Sequence, residues 1–251
     1  MTQSHYFKTD HALDHEIKII EYTINRRDFK FHTDRGVFSR NKVDYGTNVM
    51  LKTVLKELTD NCSGFSDNNE FDKSRQSMTE SLKDVQMKKC LDLGCGYGVV
   101  SIVLNTFFLK QKWYAVDINP RAVELTKRNS EKHGLDITVI ESDGIPESIS
   151  ASNESDKTSK LLPGTNISDK KREFDLILLN PPIRTGKDVC YRLFAEVAAA
   201  INYDGVFYTV MQKKQGAVSA LKYLQELFSD VTVVDKSGGY HTIRCRIPDP
   251  D

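Results

Sequence analysis

From Lys89 onward the chain repeats one alternation, a short apolar run followed by a longer amphipathic stretch, and no other feature restricts its fold as tightly. The apolar runs predict strands near residues 90–93, 112–117, 136–140, 174–179, 205–211, 230–235 and 240–246, and the stretches between them predict helices near 97–109, 119–133, 187–201 and 215–228. Strands joined through helices run parallel, with the helices packed on both faces of the sheet. The last two strands are joined only by "KSGG", too few residues for a crossover helix, so the final strand is expected to run antiparallel to its neighbour.

Ahead of this alternation, "IKIIEYTI" and "FKFHT" change polarity with period two and predict a small β-hairpin, and Thr47 is placed to start a helix reaching about Leu58. Residues 60–88 and 147–172 are rich in Ser, Asn, Asp and Lys and poor in aliphatics, which predicts mobile loops. The expected organisation is an amino-terminal hairpin-and-helix module over 1–59 packed on the main domain, a polar loop over 60–88, and an α/β domain over 89–251 carrying a polar insertion at 147–172.

At 251 residues with 39% hydrophobic content, the chain can bury a good core and is expected to fold alone, as a monomer. Lys+Arg and Asp+Glu both total 35, so no global positive field exists to capture nucleic acid, and any such contact must come from a local patch. The five cysteines, Cys62, Cys90, Cys95, Cys190 and Cys245, are scattered and never form a C-x-x-C pair, which predicts reduced thiols in the cytoplasm and no metal site. The start, "MTQSHYFKTDHALDHE", lacks a basic segment followed by an apolar run, and no later segment approaches the roughly 18 apolar residues of a membrane span. The chain is therefore expected to be neither exported nor membrane-bound.

The chemistry gathers at the strand ends. In "CLDLGCGYGVVSIVL", Gly94, Gly96 and Gly98 alternate between a strand and an apolar helix, a turn that lets a ligand approach the backbone beside a helix amino terminus. A dinucleotide fingerprint counted from Gly94 needs glycine at Val99 and does not find it. Asp92 is suited instead to a ligand bearing an ammonium group. "WYAVDINP" ends its strand in Asp117, a carboxylate able to accept both hydroxyls of a ribose; its commoner role is to cap the next helix, which Asn119 could do instead. In "ESDGIP", Asp143 can accept from an adenine amino group, although such a residue is more often part of a turn. Together these tips describe a nucleoside with an ammonium-bearing tail.

The fourth tip is "FDLILLNPPIRTGK". Ile177, Leu178 and Leu179 read as a strand covered on both faces, and Pro181 and Pro182 force the chain out of the sheet. Asn180 is thereby held at the carboxyl edge, where open α/β sheets bind ligands. A loop-initiating turn is the plainer reading of an isolated NPP.

"DLGCGYG", "VDINPRAVELTKRN", "SDG" and "LLNPPIRTGK", in this order, resemble the class I S-adenosylmethionine-dependent methyltransferases. The added matches "HYF", "FHTDRGVFSRNKVDYGTNVML", "MQKKQGA" and "GGYHTIRCR" narrow the resemblance to the ribosomal RNA small-subunit methyltransferase C type, guanine-N2 enzymes with a small methyltransferase domain, over nearly the whole chain except the two polar stretches. The fold this implies is α/β and Rossmann-like, a seven-stranded, mostly parallel sheet with an antiparallel last strand.

The resemblance also implies roles. Asp92, Gly94, Gly96 and Gly98 would hold the methionine end of S-adenosyl-L-methionine, Asp117 its ribose and Asp143 its adenine, with Cys95, Ile118 and Gly144 also binding the cofactor, Gly46 and Thr47 approaching it from the amino-terminal side, and Asn180 beside it. Asn180, Pro181 and Pro182 would be catalytic, the Asn180 side-chain oxygen and the Pro181 carbonyl accepting the two hydrogens of a base amino group. Ile183 stands where adenine- and glutamine-modifying relatives commonly carry an aromatic, so stacking must come from Phe38 or Tyr240, for either of which core packing is the commoner role. His241 reads as a strand histidine rather than a base. Arg184, Lys187, Lys213 and Lys214 fall at strand ends on the reaction edge and are expected to contact phosphate, whereas Arg244 and Arg246 lie along the last strand. The implied partner is ribosomal RNA or the small ribosomal subunit. An adenine-N6 or protein glutamine-N5 methyltransferase shares the NPP chemistry, and a catalytically silent cofactor-binding module of ribosome assembly is a third reading.

Overall fold

The computed structural model describes residues 14–60, 89–109, 111–150 and 172–247. The polar stretches 60–88 and 147–172 fall almost wholly outside them, as do "HYF" and Cys62.

Two antiparallel strands, β1 (Lys18–Ile24) and β2 (Arg27–Thr33), form a separate hairpin, followed by the helix α1 (Tyr45–Asp60). The main sheet contains β3 (Lys89–Leu93), β4 (Lys112–Asp117), β5 (Ile137–Glu141), β6 (Phe174–Leu179), β7 (Ile201–Gln212), β8 (Asp230–Ser237) and β9 (Tyr240–Arg246) in the order β5-β4-β3-β6-β7-β9-β8. All its pairings are parallel except those of β9, which runs antiparallel to both β7 and β8. The seven-stranded, mostly parallel sheet with its reversed last strand is the architecture the alternation predicted. The turn between β8 and β9 is tight because Gly238 and Gly239 both take positive φ, the conformation a two-residue hairpin loop requires.

Alternate residues of the central strand β6 divide the core between the sheet's two faces. Leu176 and Leu178 join a cluster with the helices α2 (Val99–Phe107) and α3 (Pro120–Lys132), whereas Ile177 and Leu179 join one with α4 (Lys187–Ala200) and α5 (Ala217–Leu227). The hairpin and α1 belong to the first cluster through Ile20, Phe29, Phe31, Met50 and Leu51, so the amino-terminal elements share a core with the α2/α3 face.

Several boundaries differ from expectation for identifiable reasons. The helix α1 begins two residues before Thr47, because Asp44 accepts the Thr47 N–H at 3.0 Å and so acts as the cap. Both α2 and α5 start later than their apolar patterns, behind Gly98 and Gly216 in left-handed conformation. The strand β7 starts at Ile201, directly after α4, although "NYDG" reads as a turn: Ile201 pairs with Phe174, and an irregularity between Phe174 and Leu176 absorbs Asp204 at φ 61° before pairing resumes at Val206.

The order places the topological switch between β3 and β6, whose carboxyl ends carry Gly94 and Asn180. Ligands of such sheets bind in the crevice outside that edge. The segment leading from β2 to α1 lies against the same edge and is pinned there by several bonds. Asn119 Nδ2 donates to the Gly36 carbonyl at 2.9 Å, the Tyr97 hydroxyl donates to the Ser39 carbonyl at 3.4 Å, and Arg121 reaches both the Arg35 carbonyl and the buried Asp34 carboxylate.

Candidate active site

A cavity of about 320 Å³ opens at this edge. One side of its wall is the glycine turn. Gly94, Gly96 and Gly98 have φ of 72°, 59° and 89°, values that strain any residue with a Cβ. A Cβ at Gly96 would meet nothing within 4 Å and one at Gly94 only Leu179 at 3.8 Å, so the turn presents bare backbone to open space. Gly98 differs: a Cβ there would lie 2.9 Å from Thr126, so this glycine permits close packing of turn against helix.

Two acids lie beneath the turn. Asp92 is 3% exposed and accepts the Ser101 N–H at 2.9 Å. Burial pushes its carboxyl up to about 7, partly offset by that hydrogen bond and reinforced by the nearby Asp117. No cation pairs with it among the described residues. Asp117 accepts the Gly96 N–H at 2.8 Å and the Asn119 N–H at 2.9 Å, and burial still holds its carboxyl above the usual range. With the Ile118 N–H also set against it, three backbone N–H groups face this carboxylate, which leaves one of its lone-pair sites for a hydroxyl donor. Cys95 lines the same wall with its thiol raised by burial, and Ile118 follows Asp117.

The remaining tips close the cavity. Asp143 is tied to Arg192 of α4 at 2.5 Å with its side chain still 63% exposed, while a Cβ on Gly144 would collide with the Glu196 carboxylate that holds the Ile145 N–H at 2.9 Å. Opposite them stands Asn180. Its Nδ2 donates to Thr47 Oγ1 at 2.8 Å and to Asp44 Oδ2 at 3.2 Å, and Oδ1 has no donor among the described residues. Pro182, at φ −76° and ψ 73°, bends the chain so that the Pro181 carbonyl accepts the Ile183 N–H at 2.9 Å, and that carbonyl also retains a second lone pair.

Of the remaining sequence candidates, Thr47, Ile183, Arg184, Phe38 and Tyr240 line the cavity. Phe38 is 47% exposed, which separates it from the core, and Tyr240 is partly buried against Tyr45, ring centroids 5.5 Å apart. Gly46 is not on the wall: a Cβ there would stand 2.9 Å from the Tyr240 ring, so its small size admits that ring. Lys187, Lys213 and Lys214 are exposed on the same edge but outside the cavity, the first with its ammonium over the Tyr191 ring at 4.7 Å. Arg244 is held by Glu57, which also accepts from the Tyr208 hydroxyl. His241 lies off the wall, its imidazole lowered by burial and by Lys236 and Lys213.

Asp44, Asn119, Gln212 and Gln215 also line the site and were not among the sequence candidates for it. Asp44 carried a readable signal, an acidic residue three positions before Thr47 at the start of an apolar helix.

The residues fit S-adenosylmethionine. Bare backbone opens onto the cavity, a buried acid lacks a cation among the described residues, and a second acid at the next strand tip keeps room for a hydroxyl donor.

The family model of the methyltransferase small domain matches residues 60–154 and 147–244. A relative in Bacillus subtilis (strain 168), "Uncharacterized protein YbxB", is 29% identical over 244 residues, covering 96% of this chain and 98% of that protein. "Ribosomal RNA small subunit methyltransferase C" of Actinobacillus pleuropneumoniae serotype 5b (strain L20) is 27% identical over 195 residues, 78% of this chain and 45% of that protein. The structure titled "T. Thermophilus 16S rRNA N2 G1207 methyltransferase (RsmC) in complex with AdoMet and Guanosine" superposes with a TM-score of 0.66 at 20% identity, over 92% of this chain and 50% of that one, a likeness of fold. The chain thus spans about half the length of these two methyltransferase C proteins. With the glycine turn, the acids and the reversed last strand in place, the chain belongs to the methyltransferase small domain family and has the fold of the class I S-adenosylmethionine-dependent methyltransferases.

Proposed function

We propose that the protein methylates the exocyclic N2 of a guanine in small-subunit ribosomal RNA. The observation that carries this reading is the meeting, in one cavity, of the open glycine turn and the Asn180-Pro181-Pro182 corner with the Asn180 side-chain oxygen left to accept. The relatives named as methyltransferase C support the choice of acceptor.

S-adenosylmethionine supplies a methyl group on a positively charged sulfonium. Gly94, Gly96 and Asp92 hold its amino-acid end, Asp117 its ribose, and Asp143 with Gly144 the side where adenine is expected. A base amino group is a poor nucleophile because its lone pair is conjugated into the ring. Asn180 Oδ1 and the Pro181 carbonyl accept its two hydrogens and turn the lone pair towards the donor, so catalysis is positioning and electrostatics. Methyl transfer would form the N–C bond as the S–C bond of the sulfonium breaks and its electron pair stays on sulfur as a neutral thioether; the positive charge passed to the nitrogen would lie beside these two acceptors until a proton leaves to water.

Phe38 supplies a stacking face for the extruded base, and Arg184, Lys187, Lys213 and Lys214 contact phosphate around the mouth. A neutral chain with a local basic rim suits an acceptor already presented in a folded ribonucleoprotein, and the enzyme acts as a monomer in the cytoplasm. Among the described residues no helix is long and apolar enough to cross a membrane.

The test is incubation with labelled methyl donor and, in parallel, unmodified small subunits, free ribosomal RNA, transfer RNA and a glutamine-containing protein domain. Label in N2-methylguanosine of the small subunit is expected. Label in N6-methyladenosine or in the protein would overturn the guanine assignment, and no label in any arm would favour a silent binding module.

A further inference from the structure

Asn180 can serve as an acceptor only in one of its two amide orientations, and the element that selects the orientation lies far away in sequence. Both hydrogens of its amide are used by the amino-terminal module, at Thr47 Oγ1 and Asp44 Oδ2. These partners are not equivalent. A threonine hydroxyl can donate or accept, so it would meet either face of the amide equally well. A carboxylate can only accept, and a reversed amide would put Oδ1 against Asp44 Oδ2 across the present 3.2 Å contact.

Resting on the reading of Asn180 as the acceptor for the base amino group, we infer that Asp44 is a positioning residue of the active site, which fixes the Asn180 amide so that its carbonyl oxygen faces the substrate. Asp44 also caps α1, through the Thr47 N–H at 3.0 Å, so the carboxylate that starts the helix is the one that orients the catalytic amide. Thr47 completes a small cycle, its hydroxyl accepting from Asn180 and lying 3.5 Å from Asp44 Oδ2. The loop that carries Asp44 is itself fastened to the main domain at Gly36 and Ser39, which gives the clamp a fixed anchor.

The two roles of Asp44 separate experimentally because serine caps helices about as well as aspartate, while its hydroxyl, which can donate or accept, selects neither face of the Asn180 amide. Asp44→Ser should therefore fold with a thermal midpoint close to that of the wild type and bind S-adenosylmethionine with nearly unchanged affinity. Its kcat should fall about 10- to 100-fold, the scale of a misaligned reacting group. Asp44→Asn is the conservative control: the Asp44 oxygen that takes the Thr47 N–H is also the one that faces Asn180, so a capping asparagine keeps a carbonyl acceptor there and should keep most of the turnover. Thr47→Val, which leaves the carboxylate in place, should cost less than Asp44→Ser. A cap role alone would not separate Asp44→Ser from Asp44→Asn.

A readout independent of turnover is the Asn180 side-chain NH2 pair in a ¹⁵N-correlated spectrum. It should be slow to exchange in the wild type and in Asp44→Asn and lose that protection in Asp44→Ser. Wild-type turnover of Asp44→Ser, or turnover of Asp44→Asn as low as that of Asp44→Ser, overturns the inference. If the spectral protection is present but the wild type modifies no guanine, the orientation stands and the proposed substrate falls.

Discussion

Asn119 caps α3 with its side chain, accepting the Arg121 N–H at 3.0 Å, and its own N–H is held by Asp117 at 2.9 Å. The capping role that either residue could have filled is taken by Asn119, so Asp117 is left at the strand tip on the cavity wall. Asp117→Ala should lower S-adenosylmethionine affinity about tenfold or more, the loss of one charge-assisted bond. It also leaves the Gly96 and Asn119 N–H groups without this acceptor, at a stability cost of about 1–3 kcal/mol. Titration calorimetry and thermal unfolding read the two effects separately; unchanged affinity would remove Asp117 from the site.

Asp92 makes the empty protein sensitive to pH. Its folded-state carboxyl titrates near 7, above the ordinary 3.8, so the folded state binds the proton more tightly than the unfolded chain. The stability tied to this group is complete below about 3.8, falls as pH rises towards about 7, and is flat beyond. Asp92→Asn, which can still accept the Ser101 N–H, should raise the thermal midpoint at pH 8 relative to the wild type, with the difference vanishing near pH 4. An ammonium-bearing ligand favours the ionised carboxylate, so its binding near pH 6 should release protons, measurable by calorimetry in buffers of different ionisation enthalpy.

Asn180→Ala removes the acceptor and not the cofactor cradle. Turnover should fall by roughly 10² to 10³ with S-adenosylmethionine affinity preserved. Undiminished methyl transfer would reduce Asn180 to a loop turn.

Phe38 stands at the mouth with nearly half its surface exposed. Phe38→Ala should weaken RNA binding by about 1–3 kcal/mol, the scale of one base stacked on an aromatic ring, and leave the thermal midpoint near the wild-type value. A large fall in the midpoint, with RNA affinity intact, would assign Phe38 to packing.

Much of the fold was readable because its periodicities are local: the limits of β4, β6 and β9 agree with the apolar runs. The errors fall where long-range contacts compete with local pattern. "NYDG" has the composition of a turn, yet Ile201 is drawn into the sheet by Phe174, a residue it meets only after folding. At the site, the strand-tip residues were legible because a parallel sheet brings them to one edge whatever its details. Asp44 was readable only as the cap of α1, because its second contact is with an amide 136 positions away. Nor could sequence separate Gly46, which admits a ring, from Gly96, which opens to the cavity, since both are simply glycine until the neighbours are known.

The family match begins at residue 60, whereas Asp44 and Thr47 lie before it. The matched portion therefore contains the glycine turn and the strand-tip acids but lacks the two residues that hold the Asn180 amide. Anyone designing a minimal catalyst by trimming to the matched portion would keep the glycine turn and its acids and discard the two residues that fix the Asn180 amide. For grafting onto another acceptor, the transferable unit is a pair of distant pieces, "DYGT" and "NPP", moved together.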